Sequence, residues 1–209
     1  MLILVTGGSR SGKSGFALEL ARAYEGPRIF LATAQPFDEE MARRIAAHQR
    51  DRPAGWELRE EPTRVPEALA GALESARTII LDCVTVWMAN LLIGDGSFDE
   101  GSAAAQASLL VSRVRAAEAS AANRGGAKST AYGGAKSTAY GGAKSTAYGG
   151  AVIVVTNEVG SGIVPDNEIS RRFRDCAGRA NQVIAREADE VYSMISGIPV
   201  RIKPRERQA

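Results

Sequence analysis

Cysteine is scarce in this chain, with only Cys83 and Cys176 among 209 residues. Two thiols do not make a disulfide framework, and neither has a nearby Cys or His at metal-ligand spacing. Histidine occurs once, at His48. No apolar run approaches the roughly 20 residues that cross a bilayer. No secretory leader is expected, because the apolar start is short and runs straight into glycine. A cytoplasmic protein is the expectation. The excess of charge is only +2, too small to argue for nucleic acid or an anionic membrane as partner. An Asn-Lys-x-Asp guanine motif is missing and no switch threonine can be assigned, which argues against a switch GTPase.

What remains is ordinary material for one globular domain: 44% hydrophobic and 24% charged residues over a length that buries a real core. Leu2-Ile3-Leu4-Val5 is a continuous apolar run, as in a strand covered on both faces. Helical spacing follows over 13–24, with Phe16, Leu20 and Ala23 on one side, until Gly26-Pro27 stops it. Strands are predicted at 28–33, 56–59, 78–83 and 152–156. Helices are predicted at 38–49, 65–75, 85–93, 102–122 and 170–187. Residues 191–194 and 200–203 form a closing hairpin around Gly197. Strands alternating with helices predict an α/β class with a mostly parallel sheet.

One segment breaks this rhythm. The octapeptide Ala-Lys-Ser-Thr-Ala-Tyr-Gly-Gly occurs three times in succession over 127–150. A period of eight is too short for a solenoid unit, and Gly, Ala, Ser and Lys bury no core. It is expected to be a flexible surface insertion within a single domain spanning 1–209. Its removal joins Gly125-Gly126 to Ala151 in a normal helix-to-strand turn. The Lys-Ser-Thr triplets imitate the end of a phosphate loop but lack its glycines and its leading strand.

A true phosphate loop stands at Gly7-Gly8-Ser9-Arg10-Ser11-Gly12-Lys13-Ser14, which matches G-x-x-x-x-G-K-[ST] in full. Glycines let backbone N–H groups turn toward phosphates, Lys13 reaches the β and γ phosphates, and the Ser14 hydroxyl is a ligand for Mg²⁺. Asp82 closes a buried strand, where it serves either as the second Mg²⁺ residue or simply as a cap. His48 shares a helix face with Met41 and Ile45, a pattern that by itself reads as structural. Arg50, Arg52 and Arg59 follow, with Glu60-Glu61 just after. An imidazole among arginines suits attack on a phosphate, since the arginines neutralise and align it.

Together these blocks resemble the bifunctional adenosylcobinamide kinase/adenosylcobinamide-phosphate guanylyltransferase family of cobalamin biosynthesis. The resemblance rests on the loop; on Ala32-Thr33-Ala34 with Asp38-Glu39-Glu40-Met41; on the stretch from His48 to Trp56 leading to Glu60-Glu61-Pro62; on Leu81-Asp82-Cys83-Val84-Thr85 with Asn90-Leu91-Leu92; and on Thr156-Asn157-Glu158-Val159-Gly160, which runs on to Phe173-Arg174-Asp175 and Asn181-Gln182. It implies a P-loop NTPase with a RecA-like sheet and a tendency to form trimers. It also implies phosphorylation of adenosylcobinamide by ATP or GTP, then transfer of GMP from GTP to adenosylcobinamide phosphate. His48 would carry the GMP covalently. Residues Ala32, Thr33, Ala34, Gln49, Arg50, Asp51, Arg52, Glu60 and Asp82 would contact the guanine nucleotide. The residues do not identify the base of the kinase step, for which Glu158 is one candidate. The alternatives are a P-loop kinase for another small molecule with His48 structural, and a non-catalytic nucleotide sensor.

Overall fold

The computed structural model describes residues 1–36, 38–50, 54–123 and 150–204. Side chains of Met41, Arg44 and residues 47–50 fall outside that description. The octapeptide repeat therefore lies outside the described residues except for Gly150.

The elements run β1 (Leu2–Gly7), α1 (Lys13–Ala21), β2 (Arg28–Ala32), α2 (Glu39–Arg50), β3 (Trp56–Glu60), α3 (Val65–Ser75), β4 (Thr78–Asp82), α4 (Val84–Gly94), α5 (Glu100–Asn123), β5 (Ala151–Val155), α6 (Glu168–Glu187), β6 (Glu190–Ile195) and β7 (Ile198–Lys203). The strands make one seven-stranded sheet in the order β3-β2-β4-β5-β1-β6-β7. Every pairing is parallel except β6 with β7, which closes the sheet as an antiparallel hairpin. One strand, β5, separates the loop-bearing β1 from β4, the RecA-like arrangement.

The continuous apolar strands are explained by a sheet covered on both faces. Side chains alternate, so Leu2 and Leu4 enter one core while Ile3 and Val5 enter the other. The first core gathers Leu31, Leu81, Val154, Leu4 and Val191, which stand side by side across five strands, under α3, α4, α5 and α6. Trp87 and Leu110 are wholly buried there. The second core lies under α1, where Phe16 meets Tyr192 edge-to-face with ring centroids 5.2 Å apart.

Helix ends differ from the pattern-based expectation by one to three residues. Helix α1 stops at Ala21 rather than continuing to 24, and residues 22–24 close as a tight turn on the carbonyls of Glu19, Leu20 and Ala21. Helix α6 starts at Glu168, because Asn167 caps it by accepting the Ser170 N–H at 2.8 Å. The last strand inverts the usual pattern. Ile198, Val200 and Ile202 lie on one face of β7 and remain 65%, 43% and 49% exposed.

Candidate functional site

The site grows from the carboxyl edge of the sheet, where open α/β folds bind ligands. Chain register brings Glu60, Ala32, Asp82, Val155, Val5 and Tyr192 into one row across six strands. Three residues far apart in sequence, Glu60, Ala32 and Asp82, are thus direct neighbours on β3, β2 and β4.

The phosphate loop leaves β1 at Gly7 and enters α1 at Lys13. Gly7 has φ +144°, and a Cβ there would lie 2.6 Å from the Met194 carbonyl oxygen, so only glycine fits between the loop and β6. Gly12 is left-handed at φ +92° and swings the chain into the helix. The hairpin turn closes on the loop from outside, with the Gly197 N–H donating to the Ser11 carbonyl at 3.2 Å.

Lys13 is 8% exposed, and its Nζ donates to the Gly8 carbonyl and the Ser11 hydroxyl. Burial pushes this ammonium below the ordinary lysine value, while neighbouring Cys83 and Asp82 oppose the shift. At the end of the loop the Ser14 hydroxyl donates to Asp82 Oδ2 at 2.6 Å. A hydroxyl and a carboxylate meeting at one point form an all-oxygen donor set, the kind Mg²⁺ takes together with phosphate oxygens. The sequence left Asp82 as metal residue or cap. Here it reaches across to α1, and the N-cap position of α4 falls to Cys83, which makes no side-chain cap.

Thr33 braces this arrangement from behind. It is fully buried, its hydroxyl donates to the Cys83 carbonyl at 2.8 Å, and it accepts the Cys83 N–H at 2.9 Å. Asn90 Nδ2 donates to the carbonyls of Thr33 and Pro62, both at 2.9 Å. Burial pushes the Cys83 thiol up to about 12, so it stays protonated and inert. Ala32 and Ala34 flank Thr33, both half-buried.

His48, Gln49 and Arg50 close α2, but their side chains, and the whole of Asp51 and Arg52, lie outside the described residues. Arg59, one of the arginines near His48 in sequence, is engaged elsewhere: its Nε donates to Glu57 at 2.7 Å and its guanidinium to Ser75 at 3.3 Å.

Sequence reasoning missed a closed polar ring behind the loop. The Asn157 N–H donates to the Thr85 hydroxyl (2.7 Å), and the Thr156 hydroxyl donates to Asn181 Oδ1 (2.7 Å). With the Thr156 proton so used, the 3.1 Å contact between the two hydroxyls must run from Thr85 to Thr156. Asn181 Nδ2 then returns to the Asn157 carbonyl at 3.1 Å. Just beyond, the Thr6 hydroxyl donates to Glu158 Oε1 at 2.7 Å. The available signal was a strand ending directly in Thr-Asn-Glu.

A parallel sheet carrying this loop on its first strand, with a lysine, a serine and an acidic strand end converging, defines a P-loop nucleotide-binding protein. Comparison narrows the class. The chain belongs to the cobinamide kinase / cobinamide phosphate guanyltransferase family, whose family model matches residues 3–202. It is 37% identical over 206 residues to the bifunctional adenosylcobalamin biosynthesis protein CobU of Escherichia coli (strain K12), covering 97% of this chain and 100% of that protein. It is 38% identical over 207 residues to CobU of Salmonella typhimurium, with the same coverage. CobP of Pseudomonas aeruginosa is 33% identical over 200 residues, 96% of each chain. Among the described residues no helix is long and apolar enough to cross a membrane.

Proposed function

We propose that this enzyme phosphorylates the hydroxyl on the aminopropanol arm of adenosylcobinamide with ATP or GTP, then transfers GMP from GTP to the new phosphate, releasing pyrophosphate and adenosylcobinamide-GDP. Membership of a family named for both activities supports the pair of reactions. The observation that carries the reading is the convergence of Lys13, Ser14 and Asp82 at the end of β4. Residues 7–14 hold the triphosphate, with Lys13 neutralising charge at the transferring phosphoryl group. Ser14 and Asp82 hold Mg²⁺, which when bound offsets charge on the phosphate oxygens.

The second reaction uses His48. Its neutral imidazole attacks the α-phosphorus of GTP, the bond to the β-phosphate bridge breaks, and pyrophosphate leaves. The phosphate of the acceptor then displaces the imidazole. Ala32, Thr33, Ala34, Gln49, Arg50, Asp51, Arg52, Glu60 and Asp82 hold the guanine nucleotide, a set supported by the adjacency of Glu60, Ala32 and Asp82 in the sheet. Thr33 acts by bracing Asp82, since its hydroxyl is committed to Cys83. The enzyme works in the cytoplasm, where ATP and GTP are made, and assembles as a trimer, to which the exposed apolar face of β7 lends support.

GTP labelled at the α-phosphate tests the mechanism. An acid-labile, base-stable adduct should form on the wild type, be lost in His48→Ala, and persist in no other form. A chain that phosphorylates adenosylcobinamide yet never takes up this label refutes the histidine route. Lys13→Ala should abolish phosphorylation, and wild-type rates in that variant refute the assignment of the loop.

A further inference from the structure

Asp82 meets the phosphate loop at its end, through Ser14. A second carboxylate meets it at its start. Glu158 Oε1 accepts the Thr6 hydroxyl at 2.7 Å, and the Glu158 N–H donates to the Gly7 carbonyl at 3.1 Å. The other carboxylate oxygen, Oε2, has no hydrogen-bond partner among the described residues. The backbone before Glu158 is locked by the ring of Thr85, Thr156 and Asn181 around Asn157. The side chain is exposed, and it faces a cleft of about 530 Å³ lined by residues 7–11, Ser161 and residues 193–196.

The lining of this cleft identifies what it takes. Five of its residues are serines and none is aromatic, so it offers hydrogen bonds but no surface on which a purine would stack. Its lining joins five residues of the phosphate loop, Arg10 among them, to one carboxylate, so the loop side takes phosphate while the Glu158 side repels it and suits an alcohol. An alcohol attacking a phosphoryl group must give up a proton, and a fixed carboxylate beside the loop is where that proton can go.

We propose that the cleft seats the hydroxyl-bearing arm of the acceptor and that Glu158 takes up the acceptor's proton in the kinase step; this rests on the kinase function proposed above. The acceptor oxygen bonds to the γ-phosphorus as the bond from that phosphorus to the β–γ bridging oxygen breaks. Nucleoside diphosphate leaves, and the alcohol proton passes to Glu158 Oε2. Transfer of GMP makes no such demand, because its acceptor is an already ionised phosphate. Glu158 therefore serves one of the two reactions.

The test is Glu158→Gln assayed on each reaction separately. Phosphorylation of adenosylcobinamide should fall by about 10²–10⁴-fold, the usual contribution of a general base. Transfer of GMP to pre-formed adenosylcobinamide phosphate, and the yield of labelled His48, should stay within about threefold of wild type. Glu158→Asp should recover part of the phosphorylation rate and keep the acid limb of its pH profile, which Glu158→Gln should lose. A phosphorylation rate within threefold of wild type overturns the proposal, and so does an equal fall in both reactions. Ser161→Leu, which narrows the cleft, should raise the KM for adenosylcobinamide and leave that for the nucleotide; an unchanged acceptor KM overturns the seating. Failure of the wild type to perform either reaction would instead refute the function on which the proposal rests.

Discussion

Replacing Gly7 by alanine should unfold the loop from its foundation, whereas the same change one residue later should do nothing. At Gly7 the backbone has φ +144°, which an L side chain rarely adopts. Forcing such a conformation costs about 1–3 kcal/mol. The new Cβ would also lie 2.6 Å from the Met194 carbonyl oxygen and 2.9 Å from Ser11 Oγ. The Ser11 hydroxyl can rotate away, but the Met194 oxygen belongs to β6, paired with Gly7 itself. Moving that strand is an overpacking cost of about 1–3 kcal/mol. The sum is about 2–6 kcal/mol, and in a chain of this size each kcal/mol lowers Tm by roughly 2–4 °C. Gly8 has no atom within 4 Å of an added Cβ and no left-handed φ. Gly8→Ala should match or slightly exceed wild-type stability, because alanine restricts the unfolded chain. Thermal unfolding followed by circular dichroism, without nucleotide, compares the three proteins. A Gly7→Ala melting point within 2 °C of wild type, or a Gly8→Ala protein that melts as early as Gly7→Ala, refutes the steric account.

Thr156→Val keeps the shape of a fully buried side chain but leaves the Thr85 hydroxyl and Asn181 Oδ1 without their partner. It should cost about 2–4 kcal/mol in urea unfolding, and a loss under 1 kcal/mol would show the ring is not a stabilising unit. Asp189 gives a pH signature. Partial burial raises its pKa, but Arg115 and the Leu2 N–H outweigh this and hold the carboxyl below the usual aspartate range. Its contribution is complete above the ordinary aspartate value of about 4 and is lost as pH falls through the lower native value. The urea midpoint of wild type should therefore drop toward that of Asp189→Asn below about pH 4, and parallel profiles would refute the linkage. Deleting 127–150 should leave both activities and Tm unchanged or Tm slightly raised, because a shorter loop closes at lower entropic cost; a large loss in either would make the repeat structural.

The class of fold was legible because a two-faced sheet leaves a plain mark: Leu2-Ile3-Leu4-Val5 and Ile79-Ile80-Leu81 are apolar at every position, since both faces are covered. The phosphate loop was legible because its glycines answer local backbone demands. Strand order was not, because it depends on which strands pair, and no single segment encodes that. Hence only the family resemblance grouped Glu60 and Ala32 with Asp82, until register set them side by side. The Thr6–Glu158 bond, between residues 152 apart in sequence, was hidden for the same reason. Thr85, Thr156 and Asn181 stood in the blocks that carry the resemblance, on two helices and a strand end, with no sign in the sequence that they meet. Only their mutual burial makes them a ring. The β7 stripe of Ile198, Val200 and Ile202 shows the converse: alternation marks an apolar face without saying that this chain alone covers it.

A single phosphate loop can serve two reactions only if their proton demands are met in different places. Phosphorylation begins from an alcohol and needs an acceptor for its proton. In the second reaction as proposed, attack by an imidazole, and then by a phosphate, begins from lone pairs that are already free. On the proposed function, Lys13, with Mg²⁺ held by Ser14 and Asp82, would supply what both reactions share, the neutralisation of phosphate charge. Glu158 is tied to the first residues of the loop, through Thr6 and Gly7, and His48 closes α2 just before β3, the strand at the opposite end of the sheet from the hairpin. On the proposed function, the hydroxyl acceptor needs the hairpin flank and the guanylyl carrier needs the β2–β3 flank. Variants on the two flanks should therefore separate the activities, while variants of Lys13 should lower both.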